Sequence, residues 1–262
     1  EFGNYSLFFS LVNMCTAFSF AWFNQSIIRY YSRLEQQDQV ISAVIGGWIV
    51  SSLLSILLIL ILQLLNFPKP GPILLLMLLS ICLGSFSMSS VLFQSRLQAS
   101  RVVRLNIFQA LLFILCPMVS IHILGKNYQV LLFGLIFAYF LPVLWIFASK
   151  RRLVKLDIVK LFSSLGQFLS FGIPISLWFA TSLSLNFLDR YFLEYYTGLE
   201  SMGIYASYSE IFTRFFSLIL FPITMALHPY LTKLWNQGEF KKASRYLKWG
   251  IAIQAGIFFL FL

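Results

Sequence analysis

An all-α, polytopic membrane protein is the fold class this sequence predicts, and three observations predict it. The chain has 262 residues, of which 59% are hydrophobic and 11% charged; soluble domains carry about a quarter charged residues. Its mean hydropathy is +0.83. Its apolar residues fall into long runs near the ~20 residues that cross a bilayer. This composition excludes an ordinary soluble core. The net charge of +10 is no nucleic-acid signal here, because the position of each basic residue matters more than the sum.

The runs predict seven complete transmembrane helices, at 7–28, 42–65, 73–94, 105–124, 128–149, 167–188 and 204–227, and part of an eighth at 249–262. Turn chemistry or charge separates them: NFPKPGP at 66–72, GKN at 125–127 and KRRLVK at 150–155. Cys15, Cys82 and Cys116 lie inside apolar runs. Three cysteines without CxxC spacing give no disulfide framework and no metal site. The opening residues do not read as a signal peptide. The chain opens on EFGNYS and stops within GIAIQAGIFFLFL, which reads as an internal fragment of a longer protein.

Lysine and arginine orient the spans. Arg29 and Arg33, then Arg96, Arg101 and Arg104, then Lys150, Arg151, Arg152, Lys155 and Lys160, then Lys233, Lys241, Lys242, Arg245 and Lys248 occupy alternate loops. The other loops hold only Lys69, Lys126 and Arg190. The positive-inside rule places the first set in the cytoplasm. The KRR cluster also suits anionic headgroups.

A weak repeat lies at an offset of 200. Gly3 and Tyr5 match Gly203 and Tyr205, Tyr30 and Leu34 match Tyr230 and Leu234, and Gln37 and Ala43 match Gln237 and Ala243. Six spans separate the copies, so both run from outside to inside, as in a parallel internal repeat of a transporter. The expected organisation is an N-terminal bundle over 1–150, a cytoplasmic loop over 151–165 and the start of a C-terminal bundle over 166–262.

The seventh run carries charge. Ser207, Glu210, Arg214, Ser217, Thr224 and His228 fall on one helical face. Arg214 lies about ten residues from either end, ~15 Å deep. A midplane arginine costs roughly 2.5–3.5 kcal/mol on insertion scales, so this face meets protein or water and not lipid. Glu210, one turn back, is placed to pair with it. Two readings stand: a structural pair that locks helix packing, or a cavity in which the planar guanidinium fork binds an anion such as phosphate.

Other polar positions predict a hydrated interior. Ser6, Ser10, Asn13 and Asn24 share a face of the first span, with Gln25 beside it; Asn106, Gln109, Cys116 and Ser120 do so on the fourth; Gln167, Ser170, Pro174 and Thr181 on the sixth. Pro174 and Pro222 break their helices and free carbonyls. The small residues of GSFSMSS at 84–90 suit close helix packing. His122 and His228 read as structural histidines near span ends. Asp189 and Arg190 read as an outer-mouth pair that caps a helix end, with a gate or ion-coupling role left open.

At these residues a family comes into view. EFGNYSLFFSLVN with RYYSRL, FGIPISLWFATSLSLNFLDRYFL, MGIYASYSEIF and HPYL resemble the polysaccharide biosynthesis (Wzx-type) flippases of the multidrug/oligosaccharidyl-lipid/polysaccharide exporter superfamily. The resemblance implies 12–14 helices in two bundles, of which this chain would hold the second to the sixth and the seventh to the ninth. It implies transfer of undecaprenyl-diphosphate-linked oligosaccharide across the inner (plasma) membrane by alternating access, in a cationic cavity. Arg214, with Glu210, Asn13, Asn24 and Arg29 at the inner mouth, is the expected substrate-binding set. Neither enzymatic activity, nor a metal, nor a nucleic-acid partner is expected; no cofactor is expected, with Na+ or H+ coupling left open. Expected partners are the lipid-linked oligosaccharide, the bilayer, a polysaccharide polymerase and a chain-length regulator. Cation-coupled drug efflux is the alternative within transport, where carboxylates would dominate the cavity, as is flipping of a peptidoglycan lipid precursor. A membrane-embedded polysaccharide polymerase is the alternative from another class, but it needs catalytic groups on sizeable loops, and these loops are short.

Overall fold

The computed structural model describes residues 2–31, 37–67, 69–148 and 165–260. The basic cluster Lys150–Arg152 and the inter-bundle loop lie outside them. Every regular element among the described residues is helical: α1 (Phe2–Tyr30), α2 (Gln37–Leu64), α3 (Ile73–Ser95), α4 (Ala99–Leu124), α5 (Tyr128–Ala148), α6 (Leu165–Asn236) and α7 (Phe240–Leu260). The chain is a polytopic membrane protein of all-α class.

The predicted spans are met in α1 to α5, each long and apolar enough to cross a bilayer. Beyond them the described residues differ from the prediction. α6 is a 72-residue helix in two limbs, broken at Gly198, whose φ of 87° lies in the left-handed region that glycine enters without penalty. Its apolar runs are interrupted by Asp189, Arg190, Glu194, Glu200, Glu210 and Arg214. The stretches Leu188–Leu218 and Pro222–Asn236 meet at a 50° bend and count together as one broken span. The described residues therefore hold five clear spans, or six with that pair. Pro222 removes an N–H and its ring crowds the preceding turn, which accounts for a bend at that point. α7 begins with Lys241, Lys242, Arg245 and Lys248 before its apolar half. Lys242 pairs with Glu239 at 2.5 Å, and the hydrogen bond that its ammonium donates to that carboxylate lifts it above the ordinary lysine range.

α1 is the axis of the packing. In its most apolar window 72% of residues are buried, against 6% for α4. Phe8, Leu11 and Val12 pack against Leu76 and Leu79 of α3 and Leu132 and Leu135 of α5. Further along, Phe20, Phe23, Ile27 and Tyr30 meet Met88 and the Phe168 ring of α6. The outer third sets Leu7 against Tyr191, Met202 and Ala206 of α6. Between α1, α2 and α3, hydroxyls replace bulk: Ser80 Oγ lies 2.8 Å from Thr16 Oγ1 and also bonds Ser55. Trp48 donates to Ser85 at 2.7 Å, and Gly84 faces the Phe20 ring. The GSFSMSS stretch thus serves close packing, as its small residues predict.

The two ends sort by chemistry. At one lie Arg96, donating to the Tyr31 hydroxyl at 2.8 Å, and Asn236, donating to the Arg29 carbonyl at 3.1 Å. At the other lie the 66–72 loop and Gly198. That loop starts with Asn66 at a φ of 56° and the Phe67 N–H returning to the Leu62 carbonyl at 2.9 Å, a left-handed helix stop that asparagine tolerates. Positive-inside orientation makes the Arg96 end cytoplasmic. A cysteine at Arg101 is expected to react with an impermeant maleimide only from the cytoplasmic side, and one at Lys126 only from outside; the converse pattern overturns this topology.

Gly172 carries the closest helix approach between α1 and α6. A Cβ there would fall 2.2 Å from the Trp22 carbonyl oxygen and 2.8 Å from the Ser26 hydroxyl. That hydroxyl bonds both the Trp22 and the Phe168 carbonyls, each at 2.8 Å. Gly172→Ala should cost ~1–3 kcal/mol through forced separation of the helices. It is expected to broaden or abolish the monodisperse size-exclusion peak; an unchanged peak and melting temperature would show that the helices do not meet there.

Candidate functional site

The deepest charge cluster forms where α1 faces the two limbs of α6. Arg190 lies on the first limb and Glu210 and Arg214 on the second. Arg190 is 4% exposed. Its Nη1 donates to Ser6 Oγ at 2.8 Å and Ser10 Oγ at 3.2 Å, across to α1. The same nitrogen lies 3.6 Å from Glu210 Oε1. The other Glu210 oxygen accepts from Arg214 Nε at 3.2 Å. One carboxylate therefore joins two guanidiniums, and the three side chains carry a net charge of one positive.

Arg190 departs from the sequence expectation. It was expected to cap a helix ending at the outer mouth, but the helix continues past it, to Gly198, and its guanidinium turns inward onto α1. The reason is the pair of hydroxyls one turn apart, Ser6 and Ser10. They give a buried cation two acceptors that lipid lacks, and Glu210 supplies the counter-charge that makes burial tolerable. Asp189 stays on the outer side: its Oδ1 accepts from the Arg190 N–H at 2.8 Å and its Oδ2 from the Tyr205 hydroxyl.

The expected Glu210–Arg214 pair is present, and it is one half of a larger cluster. Arg214 is more open than Arg190, its side chain 53% exposed. Its guanidinium carbon sits 4.6 Å from the centre of the Phe113 ring of α4, a cation–π contact. Tyr5 of α1 and Tyr139 of α5 lie within electrostatic range of both Glu210 and Arg214. Phe113 and Tyr139 meet edge to face at 6.2 Å, so an aromatic wall borders the guanidinium. Asn106, on the same helix as Phe113, reaches Met225 of α6 at 3.9 Å. Asn106 and Phe113 of α4 thus meet the second limb of α6 through long side chains.

Other sequence-predicted residues lie elsewhere. Asn13 spends its amide on the Phe9 carbonyl at 2.7 Å within α1. Asn24 is buried and donates to Ser87 of α3 at 2.9 Å. Neither is brought to the Arg214 cluster. Pro174 lies two residues from the Gly172 contact, and Ser176 returns a hydrogen bond to the Ile173 carbonyl at 2.9 Å. The lower part of the charged face turns to α7, where Gln254 donates to Thr224 at 3.0 Å. Arg29 is at the inner end with its guanidinium 3.9 Å from the Phe171 ring centre. Among the described residues no three histidine, cysteine or acidic side chains gather as a metal site.

Chemically, the cluster suits an anion. Arg214 engages Glu210 through Nε, which leaves four N–H donors on the terminal nitrogens. Those donors stand in a fork that matches phosphate oxygens. Glu210 holds the fork in place and limits the unscreened charge while the site is empty.

The outer side is tied across. Lys69, in the loop after α2, pairs with Glu194 on α6, and Phe67 lies 5.0 Å from Tyr191, ring centre to ring centre. The Tyr191 hydroxyl donates to the Leu7 carbonyl at 3.3 Å. Gln63 orders the loop by accepting from the Gly71 N–H at 2.8 Å.

The model of a family described as polysaccharide biosynthesis proteins matches residues 1–235. That stretch includes the Arg190–Glu210–Arg214 cluster and all but the last helix. No curated protein and no solved structure matches the chain. The match shows that the chain belongs to the polysaccharide biosynthesis protein family.

Proposed function

We propose that this member of the polysaccharide biosynthesis protein family is a flippase, which moves an undecaprenyl-diphosphate-linked oligosaccharide from the inner to the outer leaflet of the cell inner membrane for O-antigen, capsule or exopolysaccharide synthesis. Family membership gives the role in polysaccharide biosynthesis. The Arg190–Glu210–Arg214 cluster is the observation that carries the finer reading. A flippase must take a sugar headgroup and two phosphates past ~30 Å of hydrocarbon while the lipid tail stays outside. Unshielded, those charges would cost many kcal/mol. A half-open arginine at mid-depth, held by a carboxylate and bordered by aromatic rings, offers the diphosphate a charge-assisted partner and the sugars a flat apolar surface.

In this reading the bundles over 1–150 and 166–262, joined by the 151–165 loop, rock against each other. Asp189 and Arg190, with the Lys69–Glu194 tie, form the outer gate. Glu210 yields Arg214 to the incoming diphosphate while keeping its contact with Arg190. Asn13, Asn24 and Arg29, first assigned to the substrate, divide: the two asparagines support packing, and Arg29 belongs to the entry side. A polymerase and a chain-length regulator would receive the product outside. Cation-coupled drug efflux fits less well, because the one carboxylate in the cluster is already engaged by two guanidiniums.

If the outer tie must open and close in each cycle, Lys69→Glu, which opposes like charges, is expected to lower surface polysaccharide several-fold. Lys69→Glu with Glu194→Lys is expected to restore it. Equal output from all three proteins would remove this pair from the gate.

The deciding experiment deletes the full-length gene and quantifies lipid-linked intermediates by mass spectrometry, with surface polymer scored alongside. Build-up of completed undecaprenyl-diphosphate oligosaccharide with loss of polymer is the expected result. Unchanged intermediates would refute the flippase reading.

A further inference from the structure

A second cavity, of 380 Å³, opens at the cytoplasmic end between α1 and α6. Arg29, Phe171, His228, Thr232, Trp235 and Asn236 line it, and among the described residues no acidic side chain does. It is remote from Arg214: His228 lies fourteen positions further along the second limb, ~20 Å at helical rise.

Arg29 has an unusual setting. Its guanidinium carbon lies over aromatic neighbours, 3.9 Å from the Phe171 ring centre and 5.6 Å from that of Tyr30. No carboxylate among the described residues pairs with it. An arginine in the last turn of a helix commonly offsets the partial negative charge of the terminal carbonyls. Here the Arg29 carbonyl already accepts from Asn236 Nδ2 at 3.1 Å. The guanidinium is therefore seated against rings, which use none of its five N–H donors. A cation seated in this way beside a cavity with amide, hydroxyl and imidazole groups, and without a competing acid among the described residues, has the make-up of a phosphate site. Trp235, 63% exposed, adds the amphipathic ring that settles at the membrane–water boundary.

We infer that this cavity binds a phosphate group at the cytoplasmic face through Arg29, separately from the Arg214 cluster. Two sources share the chemistry: the headgroup of a prenyl diphosphate lipid reached from the inner leaflet, and a free phosphate anion from the cytoplasm. The lipid source rests on the flippase reading, in which the cavity is the entry subsite; the site itself does not.

The test uses the full-length protein in phosphatidylcholine nanodiscs, with farnesyl diphosphate and inorganic diphosphate as the two probes. Arg29→Gln is expected to weaken binding of the recognised probe roughly tenfold or more, the usual scale for losing a charged hydrogen bond, and Arg29→Lys is expected to lose less. Thr232→Glu, which puts a negative charge in the cavity and leaves the ring seat intact, should weaken it too; it keeps the test open if Arg29→Gln fails to fold. Binding of farnesyl diphosphate alone identifies a lipid headgroup site. Equal binding of both probes identifies a free-anion site. Absence of binding, or binding unaffected by both Arg29→Gln and Thr232→Glu, overturns the inference and leaves Arg29 as a helix-end cation. Arg29-dependent binding together with unchanged lipid intermediates in deletion cells would sink the flippase reading and spare this site; the reverse pair of results would sink only this site.

Discussion

Arg214→Gln is expected to stop export of lipid-linked oligosaccharide while the protein still inserts and folds. The side chain is 53% exposed and has one carboxylate partner, so its removal opens no buried hole. What it removes is the most accessible guanidinium of the cluster. Two charge-assisted bonds to a phosphate are worth roughly 3–6 kcal/mol together, which would reduce transport by two orders of magnitude or more. Arg214→Lys keeps the charge but not the fork and should fall between. The measurement is surface polymer together with accumulated undecaprenyl-linked intermediate, at matched membrane levels of protein. Full export by the glutamine variant would return Arg214 to a packing role, with Phe113 as its partner.

Glu210→Ala is expected to act in the opposite way, on folding first. Arg190 is buried and has Glu210 as its carboxylate at 3.6 Å. Breaking a fully buried pair from one side costs about 3–5 kcal/mol. Glu210 keeps 22% of its side-chain surface, which lowers the expectation to about 2–3 kcal/mol. The double replacement Arg190→Met with Glu210→Met removes both charges and should regain most of that loss, since an apolar pair needs no counter-ion. Detergent-solubilised melting temperatures of Arg190→Met, Glu210→Met and the double form the cycle that isolates the coupling. Additive losses would mean that the two side chains do not depend on each other. The double variant is still expected to be inactive, because Arg214 then has lost the carboxylate that positions it.

Much of this architecture was legible in the residues, and the gaps have physical causes. α1 to α5 follow from hydropathy, because an apolar run of bilayer length has few other ways to satisfy its backbone. α6 does not, because Asp189, Arg190 and Glu194 interrupt its first limb and suggest a helix end where the helix continues. The Glu210–Arg214 pair was legible as a four-residue spacing. The seating of Arg190 was not: its acceptors Ser6 and Ser10 stand about 180 positions away, and periodicity registers only neighbours along one helix. The hydroxyls themselves were visible as a polar face on α1, without any sign of which cation they would receive. Asn13 and Asn24 share that face in sequence, yet one bonds its own backbone and the other Ser87, because amides find near acceptors before distant ones. Arg29 was expected at the inner mouth, and nothing near it in sequence announces its contact with Phe171, on a helix more than a hundred residues further along.

The offset-200 repeat has a mechanical side. A Cβ on Gly203 would stand 3.5 Å from the Gly3 nitrogen, and one on Gly3 would stand 2.8 Å from the Leu199 carbonyl oxygen, so the two repeat-related helices touch at equivalent glycines near their outer ends. A contact in which backbone meets backbone, flanked by the Leu199 and Met202 side chains, can act as a bearing. If it is the fulcrum, the rest of α1 is the lever arm. From Gly3 to Tyr30 that arm measures about 40 Å, and a swing of 10° would carry its far end through roughly 7 Å, the width of a sugar ring. The same swing shifts the outer ends hardly at all. The leverage thus favours a wide cytoplasmic mouth, and opening to the outside has to come from bending at Gly198 and Pro222 rather than from rotation of rigid rods.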